Sequence, residues 1–254
     1  PPFFMTQNRL MEFHASLERV TRDGLDLFVD PGAREQGVVV AFSGRSGGVS
    51  PAPFNSLNLS LRVGDSEEAV AENRKRLTRA AGLPNEALVL ARQVHGADVI
   101  DADTCADEEE PGDVLVASRE GIAAGVLTAD CVPVLVAGEH KVAAIHAGWR
   151  GLVAGAIERG IEAVGTPLAA WVGPSIRSCC YEVGPDVVSA FEERNLPVAD
   201  SWHVDPGSAA FIVLKRAGIE NVASASDCTS CDGRYFSHRR DRKSGRQGAL
   251  IARL

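Results

Sequence analysis

Apolar positions in this chain fall into short, nearly continuous runs separated by glycine-rich or charged breaks. Residues 36–43 (QGVVVAFS) form one such run and predict a strand covered on both faces. It leads into the turn Gly44-Arg45-Ser46-Gly47-Gly48. Further strands are predicted at 87–94, 97–101, 113–117, 122–128, 132–137 and 141–146, all rich in Val, Ile, Leu and Ala, with no helix between them. Helical spacing occurs over 65–81, with Val70, Leu77 and Ala81 on one face. Asp65 and Glu68 stand there at capping-box spacing, and Gly82 and Pro84 end the segment. A second helix is predicted over 149–164, with Trp149, Val153, Ile157, Ile161 and Val164 on one stripe and a stop at Gly165 and Pro167. Two more are predicted at 186–194 and 207–217. Residues 1–35 show little periodicity and are read as a poorly determined N-terminal extension. Consecutive short strands favour antiparallel or mixed sheet over a doubly wound fold. No repeat, low-complexity stretch or linker interrupts the pattern, so residues 1–254 are expected to form a single domain.

With 254 residues and 45% apolar content, the chain can bury one sizeable core, or at most two closely packed lobes. A net charge of −8 and a pI near 5.3 argue against nucleic-acid binding through a broad basic face. No run approaches the ~18 apolar residues of a membrane span. The opening Pro1-Pro2-Phe3-Phe4-Met5 lacks the basic segment, apolar core and cleavage site of a secretory signal. The expectation is a soluble cytoplasmic protein with no nucleic-acid or membrane partner. Six cysteines in a chain of this length read as thiols, ligands or nucleophiles rather than a disulfide framework. Residues 106–112 (ADEEEPG) read as a solvated acidic loop. The stretch 234–246 holds six Arg or Lys residues and one Asp, suited to a solvated face or to holding an anionic substrate.

Candidate chemistry concentrates in Gln93-Val94-His95-Gly96, Thr128-Ala129-Asp130-Cys131 and His146-Ala147-Gly148-Trp149-Arg150-Gly151. His95, Cys131 and His146 each stand at the end of an apolar run. Two imidazoles and one thiol suit zinc and leave a fourth tetrahedral position open, as in catalytic zinc sites. Asp130 either orients a ligand imidazole or holds a turn. Arg150, where a strand ends in Gly148 and a helix begins, is a candidate phosphate donor. Arg45 is a second anion candidate, or a solvated turn residue. Asn58 either hydrogen-bonds a ribose or base or caps its own turn. Cys228-x-x-Cys231 resembles half a zinc site or a redox pair. With no second such motif, and Cys179 and Cys180 adjacent, a structural or accidental pair is preferred. None of these four is expected to ligate the catalytic metal. His14, His140, His203 and His238 are taken as ordinary.

These motifs occur in order with Phe42-Ser43-Gly44-Arg45-Ser46-Gly47-Gly48-Val49-Ser50, Phe54-Asn55-Ser56-Leu57-Asn58-Leu59, Gly173-Pro174-Ser175-Ile176, Cys180-Tyr181-Glu182-Val183-Gly184, and Phe236-Ser237 followed by Arg239-Arg240-Asp241. Over residues 36 to 254 the set resembles the YfiH-type family, also called the laccase-domain, polyphenol oxidase or purine nucleoside phosphorylase family. The resemblance implies an α+β layered sandwich of mixed, largely antiparallel sheet with flanking helices. It implies a metal site of His95, Cys131 and His146. It also implies phosphorolysis of adenosine, inosine and S-methyl-5'-thioadenosine, and deamination of adenosine, so purine nucleosides and phosphate are the expected partners. Other members are described as copper-dependent polyphenol oxidases or peptidoglycan editing factors. The family's closing motif has Tyr and Gly where this chain has His238 and Arg242, which changes that edge of the site but not the three ligands. Zinc is the expected metal, with copper the less favoured choice, since a multicopper oxidase needs more than six histidines. The competing readings are a cysteine hydrolase with Cys131 as nucleophile and a histidine base, a copper polyphenol oxidase, and a non-enzymatic metal-stabilised purine-binding module. The sequence leaves the oligomeric state open.

Overall fold

The structure, a computed structural model, describes residues 13–254. Its strands are β1 (Glu18–Arg22), β2 (Leu25–Val29), β3 (Val38–Ser43), β4 (Leu88–Val89), β5 (Val99–Asp101), β6 (Val114–Ala117) and β7 (Ala123–Thr128). They continue with β8 (Val132–Gly138), β9 (Val142–Ala147), β10 (Pro167–Val172), β11 (Val198–Asp200), β12 (His203–Val204), β13 (Val222–Ser224) and β14 (Gln247–Arg253). The α-helices are α1 (Pro31–Glu35), α2 (Glu67–Ala80), α3 (Trp149–Ala154), α4 (Ala156–Val164), α5 (Pro185–Glu193), α6 (Pro206–Arg216) and α7 (His238–Asp241). One six-stranded sheet runs β1-β2-β3-β14-β7-β4 and the other β13-β10-β8-β9-β6-β5. Most pairs are antiparallel; β4–β7, β5–β6 and β10–β13 are parallel. The architecture is the α+β sandwich that the family resemblance implies.

Continuous apolar runs arise because both faces of each sheet are covered. Val40, Phe42, Val126 and Ile251 of the first sheet pack against Leu115, Leu135, Ala144 and Trp171 of the second. Successive strand residues point to opposite faces. The alternate residues Val134, Ile145 and Val172 therefore meet Ile157 of α4, Phe191 of α5 and Leu214 of α6. On the outer face of the first sheet, Leu27, Ala41 and Leu250 are covered by Leu57, Leu59 and Leu77. The layers thus run helix, sheet, sheet, helices. Among the described residues no helix is long and apolar enough to cross a membrane.

Several boundaries differ from the sequence expectation, each for a local reason. The expected strand at 87–94 pairs with β7 only over Leu88–Val89. Beyond that, the Gln93 amide takes over the ladder: Nε2 donates to Leu127 O and Oε1 accepts from Leu127 N, both at 2.8 Å. The cap of α2 is Ser66, whose hydroxyl accepts from Ala69 N at 3.1 Å. Asp65 instead accepts from Ser50 Oγ and Asn58 Nδ2. The stretch 1–35, barely periodic, contains β1, β2 and α1 from Glu18 onward. The acidic loop is not simply solvated, because Glu108 and Glu109 pair with Arg74 and Arg62.

The single helix expected over 149–164 is two helices joined at Gly155, which has φ 85° and ψ 29°. Left-handed backbone costs a residue with a Cβ ~1–2 kcal/mol. Gly155→Ala is therefore expected to lower unfolding stability by about that amount, read from the urea midpoint. An unchanged midpoint would mean the joint does not require the left-handed conformation.

Candidate metal centre and cavity

Strand pairing collects the three expected ligands. His146 lies in β9, opposite Pro133 of β8, and Cys131 immediately precedes β8. His95 sits in the loop between β4 and β5, itself in left-handed backbone at φ 62°. One donor atom from each residue lies within 4.8 Å of the others. The two imidazoles meet edge to face, with centroids 4.8 Å apart and planes at 78°. Gly148 leaves room for this convergence: a Cβ there would stand 3.0 Å from His95 Cδ2 and 3.1 Å from Cys131 Sγ.

Asp113, fully buried just before β6, organises the group. Its carboxylate accepts backbone N–H bonds from Val94, His95 and Gly96 at 3.0, 3.0 and 2.8 Å. The same carboxylate lies 2.7 Å from His146 Nδ1, and Asp113 O accepts from His146 N at 2.8 Å. One side chain therefore shapes the His95 loop and, as acceptor, keeps the proton of His146 on Nδ1, leaving Nε2 as a donor atom toward the centre. Burial opposes its ionisation, but these hydrogen bonds hold its pKa below the ordinary carboxylate range.

Electrostatics couple the thiol to the imidazoles. Burial pushes Cys131 up, but the His146 charge and hydrogen bonds from His146 and His95 bring it down to about 6. Burial pushes His146 down, but Cys131 and Asp113 raise it to about 9. A Cys131 thiolate, the His95 imidazole and a His146 ring whose Nδ1 proton is held by Asp113, and whose Nε2 proton a bound metal would displace, form a donor set that fits zinc. It also fits copper in ligand type.

The centre opens into a cavity of about 410 Å³ whose walls include Arg62, Glu108, His238 and Arg246. None of these four, Arg62, Glu108, His238 and Arg246, had an individual role in the sequence reading. Only the basic character of 234–246 pointed to Arg246. Asp113 was missed as well, its one sequence signal being an acidic residue at the start of an apolar run.

The other expected site residues lie elsewhere. Arg150 is exposed, with its guanidinium 4.4 Å above the Trp149 ring, and is not on the cavity wall. Arg45 donates through Nε to Asn55 O at 2.9 Å and stands over the Phe236 ring, also off that wall. Asn58 is fully buried and ties its own turn, donating to Ser60 O and accepting from Ser60 N. It also accepts from Arg246 N at 2.9 Å, so it positions the chain that carries Arg246. Asp130 touches neither imidazole: its carboxylate accepts from Thr229 Oγ1 and Arg239 N, both at 2.7 Å. Cys228 and Cys231 are not an isolated pair, since Cys179 and Cys180 converge with them.

A family model described as multi-copper polyphenol oxidoreductase laccase matches residues 39–254. The purine nucleoside phosphorylase YfiH of Escherichia coli (strain K12) is 35% identical over 238 residues, covering 89% of this chain and 98% of the relative. A purine nucleoside phosphorylase of Xylella fastidiosa (strain Temecula1) is 40% identical over 239 residues, covering 84% and 92%. Among solved structures, YlmD from Geobacillus stearothermophilus superposes with a TM-score of 0.81 at 31% identity, covering 93% of this chain and 98% of that one.

Proposed function

The chain belongs to this laccase-domain, YfiH-type family, and from that premise we propose that it is a zinc-dependent purine nucleoside phosphorylase. Its substrates are adenosine, inosine and S-methyl-5'-thioadenosine, and it also deaminates adenosine. The observation that carries the reading is the convergence of His95, Cys131 and His146 at one end of a cavity large enough for a nucleoside. The names of the relatives support the same substrate class. Zinc held by these three residues would supply a Lewis acid and a water of lowered pKa.

The chain's own groups divide the remaining work. Asp113 holds the ligand loop and one imidazole in place. In phosphorolysis, a phosphate oxygen forms a bond to C1' of the ribose as the C1'–N9 bond breaks. The purine leaves with that electron pair and takes up a proton. The phosphate dianion needs a cationic wall, and Arg246 provides it at the cavity, whereas Arg62 on the same wall is already ion-paired with Glu109.

Adenosine incubated at varied phosphate, with adenine and inosine followed separately, tests the proposal. Adenine release should depend on phosphate, and inosine formation should not. Arg246→Ala removes a charge-assisted donor, typically worth ~1.5–3 kcal/mol. Adenine release should then fall roughly tenfold to a hundredfold at limiting phosphate, and inosine formation less. Arg150→Ala, at the exposed start of α3, should have the smaller effect. A larger effect of Arg150→Ala would move the phosphate site to that helix start. Adenine release indifferent to phosphate would overturn phosphorolysis, and absence of both products would favour Cys131 as a hydrolytic nucleophile.

A further inference from the structure

Cys179, Cys180, Cys228 and Cys231 come from two loops 48 residues apart in sequence, yet their sulfurs lie within 4.8 Å of one another. Cys231 Sγ stands 3.2 Å from Cys180 Sγ and 3.5 Å from Cys179 Sγ, and the two adjacent sulfurs are 3.8 Å apart. All four are free thiols. Four sulfurs around a tetrahedral zinc, each at ~2.3 Å, are separated by about 3.8 Å. A disulfide brings two sulfurs to ~2.05 Å and leaves the others aside. The geometry points to a second metal site in this protein, and we propose that these four cysteines bind one zinc ion as a closed structural tetrathiolate.

The surrounding backbone is built for that charge. Residues 228–231 form a tight turn, closed by Asp232 N donating to Cys228 O at 3.0 Å. Backbone N–H groups of Arg177, Ser230 and Cys231 lie beside the Cys228 sulfur and would favour a charged sulfur there. Four thiols this close oppose each other's ionisation, and a divalent soft cation relieves that conflict. The turn Cys228–Cys231 supplies two ligands at the spacing common in zinc sites, while Cys179 and Cys180 complete the set from the facing loop.

A zinc ion here would clamp the loop ahead of α5 to the segment ahead of α7. Both already meet at Asp130: Ile176 N donates to Asp130 O at 2.9 Å, while Thr229 and Arg239 bind its carboxylate. Arg239 also donates through Nη1 to Cys180 O. Asp130 immediately precedes Cys131, so the clamp braces the backbone beside the first centre without sharing a ligand with it.

Elemental analysis of the full chain, expressed with zinc and purified under reducing conditions, decides the matter. The expected content is two zinc ions per chain. Cys228→Ser combined with Cys231→Ser should lose one and keep the ion held by the first centre, whereas Cys131→Ala should lose the other. Cobalt substitution gives an independent readout, because the tetrathiolate spectrum should survive Cys131→Ala and vanish in the double variant. Should the double variant fail to fold, the exposed Cys231 allows a milder pair. Cys231→His keeps a ligand and should retain the ion, while Cys231→Ala should weaken its retention against a chelator at least tenfold. Zinc content unchanged in the double variant, or a disulfide among these cysteines in native protein, would overturn the proposal. Neither result bears on whether His95, Cys131 and His146 hold the first metal.

Discussion

Cys131→Ala is expected to abolish both metal binding at the first centre and nucleoside turnover while leaving the chain folded. The thiol is one of the three proposed donors, and its removal would leave two imidazoles that cannot complete a tetrahedral site. Loss of a group that merely orients a ligand already costs 10–100-fold in metal affinity, so loss of a ligand should cost more than about a hundredfold. The substitution removes one sulfur and strands no hydrogen-bonded carboxylate, so the sandwich should survive, as far-UV circular dichroism will show. His146→Ala should likewise abolish metal binding at this centre and turnover, but with a stability cost, because it leaves Asp113 without its 2.7 Å partner. Zinc per chain and adenine release are the two readouts. Full metal content in Cys131→Ala would refute the ligand assignment, and loss of turnover with metal retained would favour Cys131 as a nucleophile. Abundant copper with little zinc in protein never exposed to added metal would refute the choice of zinc.

Replacing Asp113 should produce the largest stability loss at the site. Its carboxylate is fully buried and satisfies three backbone N–H groups and one imidazole. Removing one partner of a buried charged pair typically costs 3–5 kcal/mol, and Asp113→Ala is expected to lie in that range. Asp113→Asn preserves volume and one acceptor oxygen but places an amide N–H against groups that themselves donate. It should fold with a smaller loss of stability and bind zinc tenfold to a hundredfold more weakly, because the His95 loop and the His146 tautomer are no longer held. Urea unfolding and competitive zinc titration separate the two effects. Wild-type zinc affinity in Asp113→Asn would show that the carboxylate does not orient the ligands.

Much of the sandwich was legible in local pattern. The runs at 113–117, 122–128, 132–137 and 141–146 reappear as β6 to β9 within a residue at each end. A sheet covered on both faces demands uninterrupted Val, Ile, Leu and Ala, and that demand is visible residue by residue. The helices at 186–194 and 207–217 were visible by their spacing. Other elements were masked by neighbouring polarity. β14 joins β3 to β7 in the middle of a sheet, yet its seven residues follow directly on the basic stretch 234–246 and carry no flanking signal of their own. Glycine at 155 is compatible with a continuous helix and with a left-handed joint, and only the packing of α3 and α4 selects the joint.

By itself the sequence singled out the three residues whose donor atoms converge, because His95, Cys131 and His146 each sit in a distinctive motif, and it marked the strand that carries His146 and the one that Cys131 precedes. What surrounds those donors was decided by tertiary structure alone. Asp113, Arg246 and His238 reach the centre only through strand pairing and loop closure over distances that no local period encodes. The same holds for Cys179 and Cys180. Adjacent in sequence, they looked unsuited to join Cys228 and Cys231. Ser175 and Cys228 are brought together by a parallel backbone bridge, and that pairing is what sets the four sulfurs face to face.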